Sequence, residues 1–264
     1  MLVLGGRPVE LDAHLERLAG SLMILYDESM PAGAEDRVRE GAGDLEHGKL
    51  RITISPSWGD LVAHGATKSP QAAGARLAMR VTTAPVDPAA VFPDPAQGIA
   101  LRSFGLEGGL GEHKWADRRL LESAESGLSP GELALLVDGD GAALEASRAS
   151  LFSVGDGWLA TPPADGRILP GIARRRTIET ARGAGIEVRE ESLPLATLHG
   201  REVFLAGSVR GIEPVLALDG TALPPQGVFS ARVAAALRRR WMPVAQGESA
   251  AVLAGGRQAG PPAR

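Results

Sequence analysis

The chain contains no cysteine, which excludes disulfide frameworks, cysteine-ligated zinc and thiol catalysis together and fits a reducing compartment. Aromatic residues make up only 4%, so packing has to rest on aliphatic side chains. No run approaches the ~18 apolar residues of a membrane helix. The opening Met1-Leu2-Val3-Leu4-Gly5-Gly6-Arg7 also lacks the apolar core of a signal peptide. The expectation is a soluble, cytoplasmic protein without a membrane partner. A basic excess is missing too: a net charge of -4 and a pI near 5.8 leave no footprint for a phosphate backbone, so nucleic acid is not an expected partner. Lysine is scarce, being confined to Lys49, Lys68 and Lys114 against many arginines.

What is present is a normal globular composition, 44% hydrophobic and 23% charged over 264 residues, enough for one large core or two modest ones. Leu11, Leu15, Leu18 and Leu22 recur at helical spacing and predict an amphipathic helix over Leu11–Leu25. A more polar helix follows over Ala34–His47, then alternating strands over Lys49–Ser57 and Arg76–Thr83, separated by a polar loop at Gly65–Gly74. Pro85, Pro88, Pro93 and Pro95 then interrupt all periodicity, the composition of an interdomain crossing. Beyond it the pattern predicts a strand at Ile99–Phe104, a helix at Lys114–Ser126 and a strand at Leu133–Asp138. A hairpin across Gly155-Asp156-Gly157, a helix at Arg174–Ala184, further strands and a helix at Ser230–Trp241 complete the order. The class is mixed α/β. We expect a smaller N-terminal α/β domain over 1–86, a linker over 87–98, a larger domain over 99–242 and a disordered tail over 243–264.

Separated segments carry the chemistry that pyridoxal phosphate would need: an amine for a Schiff base, an anion against the ring nitrogen, and donors for a phosphate. The amine is Lys114, in Gly111-Glu112-His113-Lys114-Trp115-Ala116-Asp117-Arg118, where burial or the cation Arg118 would depress its pKa. Taken alone it would read as a surface lysine. The anion is Glu145, between the turn Asp138-Gly139-Asp140-Gly141 and an apolar strand. Phosphate donors are Arg17, the helix-opening turn Pro170-Gly171-Ile172-Ala173, and Gly207-Ser208-Val209. Singly, each of these is more often a surface charge or a plain turn.

Together the segments resemble the class IV aminotransferases. His14-Leu15-Glu16-Arg17-Leu18 is similar to that family's helix with the phosphate arginine, and Leu144-Glu145-Ala146-Ser147-Arg148 to its glutamate segment. Ile168-Leu169-Pro170-Gly171-Ile172-Ala173-Arg174 is similar to its turn into a helix, and Gly207-Ser208-Val209 to its last phosphate loop. The resemblance runs from about Val3 to Val215. It implies the two-domain fold of the D-amino-acid and branched-chain aminotransferases, pyridoxal phosphate between the domains, a homodimer and no metal. It further implies Lys114 as the residue that carries cofactor and proton, Glu145 on the ring nitrogen, and Arg17, Ile172, Ala173 and Ser208 on phosphate. Val209 and Arg118 would lie on the substrate side. The chain departs from the family in lacking the usual first strand, and in Ala173, Ser150 and Asp117 where threonine, asparagine and asparagine are common. Lys114-Trp115-Ala116-Asp117-Arg118 is closer to the aminodeoxychorismate lyases of the family than to its branched-chain enzymes. A lyase releasing pyruvate and 4-aminobenzoate is therefore expected, for folate synthesis. A transaminase acting on branched-chain or D-amino acids, or a cofactor-less relic that only binds, are the alternatives.

Overall fold

The computed structural model describes residues 1–56 and 77–242. The loop predicted at Gly65–Gly74 and the tail at 243–264 lie outside the described residues. The chain opens with a short hairpin, β1 (Leu2–Leu4) and β2 (Arg7–Pro8), in which Gly5 and Gly6 both adopt positive φ and reverse the chain. Helices α1 (Leu11–Tyr26) and α2 (Ala34–Ala42) follow, then β3 (His47–Pro56) and β4 (Leu77–Pro85). The four strands form an antiparallel sheet in the order β2-β1-β3-β4. Val3, Leu11, Val38, Ala42 and Leu50 make its core. α2 ends earlier than the predicted His47, which instead begins β3.

After two short 3₁₀ turns, each capped by an aspartate (Asp87, Asp94), comes a larger sheet. Its elements are β5 (Ile99–Gly105), α3 (Arg119–Glu125), β6 (Glu132–Val137), β7 (Ala142–Ala146), β8 (Ala149–Val154), β9 (Trp158–Thr161) and α4 (Ile172–Gly183). β10 (Glu187–Glu190), β11 (Leu193–Pro194), α5 (Leu195–Leu198), β12 (Glu202–Gly207), β13 (Gly211–Leu218), β14 (Thr221–Ala222) and α6 (Val228–Trp241) complete it. Because β8 pairs with both β12 and β7, the path β8-β12-β13-β5-β6-β7 returns to β8 and closes a ring. Alternation along the strands sorts the side chains. Leu101, Leu135, Leu151, Leu205 and Val215 fill the inside. Phe152 and Phe204, stacked at 5.0 Å, face outward under Ile178 and Ala181 of α4 and Val233 and Leu237 of α6.

Strand β1 joins the two units. Leu2 packs into the outer cluster of the ring while its neighbour Val3 packs into the small sheet, and the Leu2 amide donates to the Ser208 carbonyl at 3.0 Å. The helix predicted to begin at Lys114 begins at Arg119 instead. Asp117 accepts the Arg119 amide at 3.0 Å, a local turn that competes with helix and keeps Lys114 in the loop between β5 and α3.

Candidate active site

Helix α1 presents two stripes. The leucine stripe packs on the small sheet, and beside it His14, Arg17 and Ser21 recur at i, i+3 and i+7, which stacks them along one face. All three meet the Lys114 segment. The His113 ring nitrogen Nδ1 lies 3.1 Å from the Ser21 hydroxyl, the Arg17 charge acts on Lys114, and the Lys114 charge acts on the His14 ring. The loop from β5 is drawn in by its glycines. Gly109 has φ 67°, and a Cβ there would stand 2.1 Å from the Arg167 carbonyl oxygen, while the Gly111 amide donates to that same carbonyl at 3.3 Å. The glycine run is therefore a turn packed on the 165–168 segment.

Lys114 keeps accessible surface and is nonetheless crowded by protein, the setting of a side chain in an open cleft. That crowding, with the positive charges of Arg17, Arg118 and Arg51, pushes its ammonium down to about 8, against the upward pull of Glu145. Among the described residues its amine has no hydrogen-bond or ion-pair partner. Glu145 on β7 is 6% exposed. Burial pushes its carboxyl up to about 7, although the Leu169 amide, Lys114 and Arg17 all favour the charged form.

The turn before α4 ties these groups together. The Leu169 amide donates to Glu145 at 3.1 Å, and Arg17 donates to the Pro170 carbonyl at 3.4 Å, so two successive residues are gripped by the two candidate side chains. Gly171 caps α4 without any side-chain hydrogen bond, and a Cβ on it would lie 2.7 Å from the Ser150 hydroxyl oxygen. Ile172 and Ala173 are the first helical residues. Their amides have no carbonyl partner among the described residues and lie at the positive end of the helix, next to the Arg17 guanidinium. Ser150 pairs with Glu145 on one side and Ala206 on the other. This brings the β12 end, and the Ser208-Val209 turn after it, to the same outer face of the ring. Ser208 is half-buried there, and Val209 packs partly into the outer cluster.

Arg118 donates to the Ser147 carbonyl at 3.1 Å and acts on Lys114. The structure thus gathers Lys114, Arg17, Glu145 and Arg118 electrostatically, with Ile172 and Ala173 through the shared turn and Ser208 through the strand register. Sequence reasoning missed His14, whose imidazole is held neutral: burial, then the Met1 amino group, Arg17 and Lys114, push it down to about 2. Its position three residues before Arg17 was the available signal. The Leu169 amide and the Pro170 carbonyl were missed as well, since backbone groups leave no mark in side-chain patterns. Among the described residues no cluster of acidic and imidazole side chains is arranged for a metal ion, and no helix is long and apolar enough to cross a membrane.

The family model for amino-transferase class IV matches residues 1–218. The Escherichia coli (strain K12) branched-chain-amino-acid aminotransferase is 41% identical over 87 residues, 33% of this chain and 28% of that protein. This chain therefore matches well under a third of that relative's length. The Arabidopsis thaliana branched-chain-amino-acid aminotransferase-like protein 1 is 26% identical over 234 residues, 83% of this chain and 40% of its own. Among solved structures, a Legionella pneumophila protein provisionally named 4-amino-4-deoxychorismate lyase superposes with a TM-score of 0.77 at 21% identity, covering 90% of this chain and 88% of its own. The PLP-bound form of a Mycobacterium tuberculosis hypothetical aminotransferase gives 0.68 at 22%, covering 91% and 86%. At these identities the likeness shows the fold, which is that of the fold-type IV aminotransferases.

Proposed function

The chain belongs to the class IV aminotransferases, a family of pyridoxal-phosphate enzymes, and from that premise we propose that it is a 4-amino-4-deoxychorismate lyase, releasing pyruvate and leaving 4-aminobenzoate. One observation carries the cofactor reading. An amine of lowered pKa, a buried carboxyl of raised pKa and a guanidinium act on one another across a turn that opens a helix.

The donor set fits the cofactor. Arg17, the Ile172 and Ala173 amides and the Ser208 hydroxyl would hold a phosphate dianion, which suits free amides at a helix start. Gly171, where a side chain would meet Ser150, keeps the approach to that cradle open. Glu145 would face the ring nitrogen, where its proton-sharing range near neutrality suits a pyridinium partner. When bound, pyridoxal phosphate supplies an electron sink next to the substrate amino group. Lys114 would hold it through its amine and would serve as the general base for the proton on the substrate α-carbon, a task for which a value of about 8 is well placed. Arg118 disfavours protonation of Lys114 and, with Val209, would take the substrate carboxylate. His14, neutral, adds no further positive charge beside Lys114 and Arg17.

Lys114-Trp115-Ala116-Asp117-Arg118 supports the lyase within the family. The 41% identity to a branched-chain enzyme favours a transaminase as the second reading. Exposed Met23, Ile24, Trp115 and Leu120 lie on α1, on the loop that carries Lys114 and on α3 after it, which supports a second copy of the chain closing the cleft. The purified protein should be yellow, and borohydride should fix the cofactor on Lys114; a colourless protein that takes up no added pyridoxal phosphate would favour the relic. Pyruvate formed from 4-amino-4-deoxychorismate without a 2-oxo acid marks the lyase. Turnover that requires an acceptor marks the transaminase.

A further inference from the structure

Between the N-terminal hairpin and the end of α6 lies a cavity of about 560 Å³ that shares no lining residue with the Lys114 cleft. Its polar lining is Arg7, Glu10, His47, Arg240 and Trp241. Glu10 is the only acid among them and is already spent: Arg176 holds one carboxylate oxygen at 2.8 Å and Arg240 the other at 2.8 Å. What remains is donor capacity. The indole of Trp241 is 5% exposed, and its Nε1 N–H is buried with no hydrogen-bond partner, an unusual state for a native polar group. Arg7 is exposed, and among the described residues neither its guanidinium nor the His47 ring has a hydrogen-bond partner. The end of α6 adds a negative partial charge, which Arg238, Arg239 and Arg240 in its last turn offset. The rest of the wall is apolar, from Leu4, Val9, Met242 and the Trp241 ring.

An occupant must therefore bring acceptors only, plus a hydrocarbon body, and must fit a space in the usual range for small-molecule sites. We propose that this cavity is a second binding site, for a small carboxylate with an aliphatic or aromatic body, its oxygens taken by Trp241 Nε1 and the Arg7 guanidinium. The site sits on the seam between the two units, because the hairpin that walls it continues into α1, which carries His14 and Arg17. An occupant there touches the same hairpin that sets where α1 lies.

The test is a titration of the ¹⁵N-labelled holoprotein with hexanoate, read at the indole N–H signals. Four tryptophans give four such signals, and W241F identifies the relevant one while keeping a ring in place. Hexanoate at millimolar concentration should shift the Trp241 signal saturably, hexanol should not, and the exposed-site variant R7A should bind about tenfold more weakly, as loss of a charge-assisted pair implies. Calorimetry should show the same weakening in W241F. Absence of a saturable shift overturns the proposal, as does an equal response to hexanol. So does unchanged affinity in R7A and W241F, which would put the hexanoate elsewhere.

Discussion

At Lys114, crowding by surrounding protein and the cations Arg17, Arg118 and Arg51 push the ammonium down, and Glu145 alone pulls it up, for a net value of about 8. A lysine lowered on folding penalises the protein while it is charged, and the penalty fades as pH rises from about 8 toward the unfolded value. The reactive neutral amine is correspondingly available near neutrality. Covalent uptake of pyridoxal phosphate should therefore quicken with pH around a midpoint near 8; a midpoint close to 10.5 would refute this. R118Q should move the midpoint upward and E145Q downward. Glu145 has the opposite sign, since its carboxyl is raised to about 7. The cost of ionising it is absent below its unfolded value near 4.5 and grows as pH rises toward 7. Cofactor-free protein should lose roughly 1–3 kcal/mol over that window, an amount of the order such a shift implies. Denaturant titrations at several pH values should find that slope flattened in E145Q.

Among the elements, the loop between β5 and α3 matters most, because it is built to hold one residue in place. Gly109 uses a left-handed φ and sits against the Arg167 carbonyl. G109A should cost more than about 2 kcal/mol, as strain and overlap add, and should lower cofactor uptake more than it lowers helix content by circular dichroism. How much of this was legible differs by element. The leucine spacing of α1 and the Gly155–Gly157 hairpin were plain from the sequence, because a single local period carries them. The helix start at Arg119 was not. Asp117 looks like any polar residue before a helix until its side chain is seen on the Arg119 amide. β7 was hidden as well, since Ala142–Ala146 is buried along its whole length and shows no alternation. His14 reads as one polar residue on a polar stripe, and only its neighbours give it a role.

For the molecule as a whole, the two units are tied by Glu10, whose left-handed backbone at φ 56° sends its carboxylate to Arg176 of α4 and Arg240 of α6. These guanidinium hydrogen bonds hold its carboxyl below the ordinary range, outweighing its burial. Stabilisation from it is thus present above the unfolded value and lost as pH falls. E10Q leaves Arg240 without its anion and Arg176 with Glu179 alone, and should cost about 2 kcal/mol at pH 7, less than a fully buried pair because Arg240 is half exposed. That difference should vanish in acid, where wild type and variant unfold alike. Element order made the α/β class readable, but the ring was not, since nothing in a linear pattern announces that β13 will lie parallel to β5.

That closure also governs how the chain comes into being. Ile99 pairs with Val215, and Leu101, already beside Leu133 of β6, gains its other neighbour at Leu218, so a ribosome must deliver nearly all of the larger unit before the first strand of the ring gains its second partner. Until then β5 offers bare amides and carbonyls to any passing strand. Such long-range pairing is slow and exposed to misassociation, which makes truncation before Leu218 a route to insoluble product.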